Sequence, residues 1–345
     1  MKHFLFGPLL AALSVFTVQA QQPTAPTTPA QTAPAQAAPA AAPAAGQSGT
    51  AAQKPATPPK QQADDQNIPT LKVNVNEVSL IFTVTDKHQH YIPNLKLSDF
   101  ALLDDQRAPQ RVTSFRQQIN LPLRVGILID TSTSIRSRFK FEQQAANEFL
   151  LDVLKSSKDR AFVMGFDVTP DVTQDWSNNL DGLTTGVNRL RPGGGTALFD
   201  AVYTACRDKL LASRNPEPVR KAIVLITDGD DDQSRVHLDE SIKECQRAET
   251  IIYAISTNWM PTRGRGDKVL AQMTEATGGL LLYPPSAEEM YQSFNNIEQE
   301  LRSQYQLTYE PADLKYNGEF RSIYLYCLNR HYLVRAKKGY FAPRQ

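Results

Sequence analysis

The stretch "VGILIDTSTSIRSRF", residues 125–139, begins as an apolar run and ends in Asp130, followed by hydroxyl residues and by Arg136 and Arg138. An uninterrupted apolar run reads as a strand buried on both faces, as in a parallel sheet covered by helices. Oxygen-bearing side chains at the end of such a strand need a reason.

Four further runs of the same kind follow, "AFVMGF" (161–166), "AIVLI" (222–226), "IIYAI" (251–255) and "LLLY" (280–283). Between them Ala146, Phe149, Leu150, Val153 and Leu154 recur at helical spacing, as do Leu198, Ala201, Val202 and Ala205. A helix opens at Ser286 with a capping box to Glu289, and its apolar stripe is Met290, Phe294, Ile297 and Leu301. Alternating strands and helices predict a doubly wound, mostly parallel α/β domain over residues 121–304.

The flanks read differently. In "TLKVNVNEVSLIFTVTD" (70–86) the alternation of apolar residues slips by one at Asn76-Glu77, which predicts a bulged strand or two strands. "DKHQHYIPNL" (86–95) reads as a turn and "FALLDDQRAPQRVTSFRQ" (100–117) as a hairpin. "YQLTYEP", "RSIYLYC" and "HYLVRAKKGYF" in the last segment read as two or three strands. Either group alone is too small for a stable sheet. Residues 67–120 and 305–345 are therefore expected to pack together as one small β-rich subdomain, with the α/β domain inserted between them.

Residues 1–20, "MKHFLFGPLLAALSVFTVQA", have a basic start, a short apolar run and a small-residue cleavage site after Ala20, the pattern of a secretory signal peptide. No later run is long enough to span a membrane. Residues 21–66 are almost wholly Ala, Pro, Thr and Gln and should form an extended, disordered linker. At ~3 Å per residue its reach is at most on the order of 140 Å. Cleavage after Ala20 removes Lys2 and no acidic residue, so Lys plus Arg falls from 37 to 36 against 36 Asp plus Glu. A neutral mature chain argues against nucleic acid or an anionic membrane surface as the main partner. The expected location is outside the cytoplasm, in a periplasm or at a cell surface.

Open α/β sheets bind ligands beyond the carboxyl ends of their strands. Asp130 stands at one such end and Asp228, after "AIVLIT", at another. "RPGGGTALFDAV" (191–202) sets Thr196 in a glycine-rich loop just before a helix. Asp130, Ser132, Ser134, Thr196 and Asp228 should therefore meet at one edge of the sheet, all as oxygen donors.

In this order, Asp-x-Ser-x-Ser, a Thr after a glycine-rich loop and Thr-Asp-Gly resemble the metal-ion-dependent adhesion site of von Willebrand factor A (vWA) domains. The resemblance covers about 121–304. It implies that Ser132, Ser134 and Thr196 coordinate Mg²⁺ or Mn²⁺, that Asp130 and Asp228 do so directly or through water, and that a carboxylate of a protein partner completes the shell. The flanking β segments and the ending "VRAKKGYFAP" are similar to exported bacterial vWA-related proteins. The chemistry is consistent on its own terms: Mg²⁺ takes six oxygens, and neutral hydroxyls hold it while leaving it electrophilic. Within the quoted stretch, Thr131 and Thr133 should point away from the site, and Arg136 and Arg138 should sit on its rim.

Each fragment alone is weak, because Asp and hydroxyl residues routinely cap helices and make turns, and "PGGGT" lacks the Gly-Lys-Ser/Thr of a nucleotide loop. "DGDDDQS" (228–234) reads as a solvated acidic loop on the rim. His88 and His90 lie in a polar turn without the company of a metal site. The three cysteines, Cys206, Cys245 and Cys327, read as buried free thiols, although one disulfide is compatible with an oxidising compartment. No histidine joins Ser132 in a triad order, and no general base accompanies the candidate metal, so an enzyme is not expected. Two readings remain: an exported module that binds an acidic protein partner through its cation, and an envelope scaffold in which the cation only stabilises the fold.

Overall fold

A computed structural model of the chain describes residues 77–344, apart from 214–216, 259–261 and 285. These residues belong to a single unit. The signal-peptide and linker readings, and the strand run Leu71–Val75 on which the change of parity rests, lie outside the described residues.

The chain opens with strands β1 (Val78–Thr85), β2 (Phe100–Asp104) and β3 (Arg111–Ile119). There follow β4 (Leu123–Asp130), α1 (Phe139–Val153), β5 (Arg160–Phe166), β6 (Pro170–Ser177), α2 (Leu180–Arg189) and α3 (Leu198–Thr204), which continues as a π-helical stretch over Ala205–Leu211. Next come β7 (Arg220–Thr227), α4 (Leu238–Arg247), β8 (Thr250–Ser256), α5 (Arg265–Thr277), β9 (Leu281–Leu282) and α6 (Ala287–Arg302). α6 runs without a linker into β10 (Ser303–Glu310), and β11 (Phe320–Cys327), β12 (Leu333–Ala336) and β13 (Gly339–Phe341) complete the order. Among the described residues no helix is long and apolar enough to cross a membrane.

The central sheet has the order β6-β5-β4-β7-β8-β9, parallel except for the antiparallel edge strand β6. Its strands lack polar alternation because both faces are covered. Val125, Ile127 and Ile129 of β4 join Phe149 and Leu150 of α1, Leu183 of α2, and Met290, Phe294, Ile297 and Leu301 of α6. Leu128 faces the other layer, with Leu198 and Val202 of α3, Cys245 of α4, and Leu270 and Met273 of α5. The rings of Phe149 and Phe294 stack at 4.8 Å between centroids. Truncating a large aliphatic side chain of either layer to Ala costs roughly 2–5 kcal/mol. Ser286 caps α6 as expected, its Oγ accepting from Glu289 N at 3.3 Å, and α5 stops at Gly278, φ 83°. Since β4, the first strand of this sheet, lies in its interior, the chain winds outward first on one side and then on the other. The crevice between β4 and β7, at their carboxyl ends, is the switch point of the sheet.

The flanking segments form two antiparallel sheets, β12-β1-β10-β3 and β13-β11-β2. They share one core around Leu80, Phe82, Tyr305, Leu307, Ile323 and Tyr340. The expected hairpin over 100–117 is not one. β2 pairs with β11 and β3 with β10, so the chain crosses from one sheet to the other after a tight turn at Asp105 and Gln106, φ 48° and 66°. Asp104 explains the crossing. Its buried carboxylate accepts from Tyr309 Oη at 2.7 Å, Tyr340 Oη at 2.9 Å and Arg321 Nε at 3.0 Å, which fixes the end of β2 between the two sheets.

The reading of free thiols is overturned for two of the three cysteines. Cys206 and Cys245 form a disulfide, and Cys327 is free and buried. The π-helical stretch after α3 brings Cys206 beside α4, with 4.9 Å between the two Cα atoms, inside the range a disulfide requires.

Candidate functional site

Asp130 ends β4 at the sheet's switch point and is fully buried. Its Oδ1 accepts from Ser132 N at 2.8 Å and its Oδ2 from Thr227 Oγ1 at 2.6 Å. Thr227 closes β7, and its hydroxyl oxygen also accepts from Gly229 N at 3.0 Å, so one threonine clasps the ends of both strands. Above Asp130 the oxygens form a chain. Ser132 Oγ lies 2.9 Å from Ser134 Oγ, and Ser134 Oγ donates to Asp228 Oδ2 at 2.9 Å.

The glycine-rich loop is fastened to this segment. Gly193 N donates to Thr131 O at 2.7 Å, while Gly194 O accepts from Thr133 N at 3.1 Å and from Thr133 Oγ1 at 2.9 Å. Gly194 holds φ 86°, where a side chain would be strained. Thr133 thus stays at the site as the strut of the loop instead of leaving it, whereas Thr131 is buried against β5, its N donating to Phe166 O. Arg136 is exposed. Arg138 is not a rim residue; it is half-buried and donates to the carbonyl of Thr257.

The acidic loop is more than a solvated rim. Asp232 Oδ1 accepts from Thr196 N at 2.7 Å, and Thr196 O accepts from the amides of Asp232 and Gln233 at 3.0 Å each. Asp231 Oδ1 takes Phe199 N at 3.2 Å, in the first turn of α3. Two of the three extra aspartates therefore hold Thr196 and the start of α3 in place. Gly229, φ 84°, packs backbone to backbone on Gly266 in the first turn of α5; a Cβ on Gly266 would lie 2.2 Å from Asp228 O.

These elements enclose a cleft of ≈ 510 Å³, lined by Ser132, Ser134, Thr196 and Asp228 together with Asp230 and Arg265. Four of the five candidate residues reach it, and Asp130 lies buried below them. Burial pushes the Asp130 carboxyl up to about 6; hydrogen bonds from Thr227 and Ser132 oppose this, and the nearby Asp228 charge adds to it. Burial and the Asp228 charge likewise raise Asp230. Crowded carboxylates of this kind favour a cation. Among the described residues that line the cleft, Arg265 is the one base. No group of three or more His, Cys, Asp or Glu is arranged as a metal cage among the described residues; the donors are two aspartates and three hydroxyls.

Sequence reasoning passed over Thr227, although it stands in the Thr-Asp-Gly triplet, and the signal was the triplet itself. Arg265 gave none, because it is an ordinary charged residue in a helical pattern.

Residues 125–230 match the von Willebrand factor type A domain family. No curated protein matches the chain. Similar solved structures include the PilB minor pilin of Streptococcus sanguinis, 15% identical over 54% of this chain and 62% of that one, with a TM-score of 0.42. The conserved hypothetical protein BatB of Bacteroides thetaiotaomicron is 14% identical over 52% of this chain and 98% of its own, at 0.42. A von Willebrand factor type A protein of Catenulispora acidiphila is 14% identical over 71% and 72%, at 0.43. The chain thus spans less than two thirds of the length of the pilin.

Proposed function

We propose, starting from a von Willebrand factor type A domain with this cleft, that the protein is an exported binding module and not an enzyme. It holds Mg²⁺ or Mn²⁺ through Asp130, Ser132, Ser134, Thr196 and Asp228, and with that cation captures an exposed Asp or Glu of a protein partner. The observation that carries the reading is the continuous run of oxygens from Ser132 through Ser134 to Asp228, directly above a buried carboxylate. The donor set fits a hard cation: every donor is oxygen, and neutral hydroxyls outnumber carboxylates. When bound, the cation supplies a positive centre that attracts a carboxylate. The protein's own part is to fix the Asp130 carboxylate through Thr227, the glycine-rich loop through Thr133 and the Thr196 backbone through Asp232, and to leave the cleft open to a partner side chain.

Titration of the metal-free protein with Mn²⁺, followed by electron paramagnetic resonance, tests this. One ion should bind to the wild type, and Asp228→Ala should weaken it at least tenfold, as for loss of a charged ligand (~1.4 kcal/mol or more). A wild type that takes up no Mn²⁺ would overturn the reading. An envelope scaffold is favoured by a different feature: Tyr324, Tyr326 and Leu328 stand exposed at and beyond β11, outside the lining of the cleft. Partner capture that survives EDTA and Asp130→Ala would favour the scaffold.

A further inference from the structure

The three-stranded sheet β13-β11-β2 turns one face to the core it shares with the other sheet of the sandwich, through Ile323, Leu325 and Tyr340. Side chains alternate along a strand, so Phe320, Ser322, Tyr324 and Tyr326 of β11 stand on the opposite face. The solvated face of an antiparallel sheet is ordinarily polar. Here the outward positions of β2, β11 and β13 carry no charge: they are Ala101 and Leu103, the four residues of β11, and Gly339 and Phe341.

Tyr324 is 56% exposed and Tyr326 53%. Leu103, directly opposite Tyr324 on β2, is 37% exposed, and Leu328, the next residue of the same parity beyond β11, is 57% exposed. Phe320, 45% exposed, stands at the other end of the row. Its ring lies across β13 at Gly339, where a Cβ would come within 2.2 Å of it, and meets Phe341 edge-on with 5.2 Å between centroids. Exposed apolar residues scattered singly need no explanation. Five along one face do. At about 200 Å² for a fully exposed large side chain, these fractions leave on the order of 500 Å² of the five open to solvent. Two such faces brought together would bury about 1,000 Å², the size at which an interface becomes specific.

The face is also complementary to itself. Ser322 and Tyr324 are successive outward residues of β11, one small and one large. A two-fold axis crossing β11 at Ile323 sets each Tyr324 against Ser322 of the other copy, and each Phe320 against the other copy's Tyr326, so that a projection meets a hollow and a ring meets a ring. Sheets stack in this way, face to face at about 10 Å, in β-sandwiches.

We propose that two copies of the chain associate through this face, β11 against β11, in a symmetric dimer of micromolar affinity. None of the residues involved lines the cleft, so the dimer forms with or without a cation there.

Sedimentation velocity of the full chain in EDTA, between about 1 and 300 μM, tests the proposal. The wild type should pass from monomer to dimer over that range. Tyr324→Lys should weaken association at least tenfold, because it sets two like charges beside the axis. The side chain is exposed in the single chain, so the variant should keep the wild-type circular dichroism and melting temperature. An equimolar mixture of Tyr324→Lys and Tyr324→Glu should recover dimer that neither forms alone, as opposite charges then face each other across the axis, and a misfolded variant would show no such recovery. A wild type that stays monomeric throughout, or a dimer as tight in Tyr324→Lys as in the wild type, would overturn the proposal; the first result would leave the face to a partner other than a second copy.

Discussion

At the scale of single residues, the candidate donors were readable because their chemistry is local. Asp130, Ser132 and Ser134 occupy alternate positions after a buried strand, and Asp228 and Thr196 sit in turn-like sequences that would otherwise be unremarkable. The charged groups buried near them were harder to read. Glu142 is the sharpest case. It lies in the first turn of α1, fully buried, and among the described residues neither of its carboxylate oxygens accepts a hydrogen bond. Burial pushes its carboxyl up to about 8; the Arg138 charge opposes this, while Asp130 and Asp228 add to it. A carboxyl raised in the folded state is a liability once ionised. Its full stability is present below the unfolded pKa of about 4.3, is lost as pH rises from there through about 8, and stays lost above. Glu142→Gln removes that liability. The variant should melt higher than the wild type at pH 8–9, by on the order of 2–4 kcal/mol, with the difference shrinking to nothing near pH 4. Calorimetry across that range in EDTA decides it, and a pH-independent difference would sink the explanation.

At the scale of elements, unbroken apolar strands and 3.6-residue stripes specified the central sheet and its helices, since each pattern states on how many sides an element is covered. Pairing between distant elements was hidden. β2 and β3 look like a hairpin because they are close in sequence, yet Asp104 is committed to Tyr309, Arg321 and Tyr340. The disulfide was hidden for a similar reason: Cys206 and Cys245 stand on different helical segments, 39 residues apart in the chain. A cross-link across 39 residues removes about 4 kcal/mol of unfolded-chain entropy, of which roughly 2–4 is commonly realised. The double variant Cys206→Ser/Cys245→Ser should be less stable by that amount, with a correspondingly lower denaturant midpoint. Dithiothreitol should shift the wild type to the same midpoint and leave the variant unchanged. A wild type indifferent to reductant would show that the link contributes nothing to the folded state.

At the scale of the whole molecule, what matters is how the vWA-like domain is mounted on the sandwich. α6 passes into β10 without a connecting residue, and its last turn is the hub of a buried polar cluster. Glu300 accepts from Tyr253 of β8 at 2.9 Å and from Thr83 of β1 at 3.1 Å, and it pairs with Arg335 of β12. Two residues toward β10, Arg302 meets Asp159 at 2.7 Å and the carbonyl of Val153 at 2.6 Å. Such a cluster is costly to disrupt, because removing one member strands a buried charge. The sequence could not announce it, since Thr83 and Glu300 stand 217 residues apart. Its consequence is that the cleft and the sandwich should move as one body. The two parts should therefore unfold in one transition. Glu300→Ala should lower that transition by roughly 1–3 kcal/mol, the cost of leaving the buried Tyr253 and Thr83 hydroxyls and the half-buried Arg335 without their acceptor, and should leave it single. Near-UV circular dichroism follows the tyrosine-rich sandwich and far-UV the helices of the α/β domain. Coincident curves in the wild type and in the variant are the expected result; a sandwich signal that melts apart from the helical one in the wild type would mean that the two are joined by sequence but not by stability.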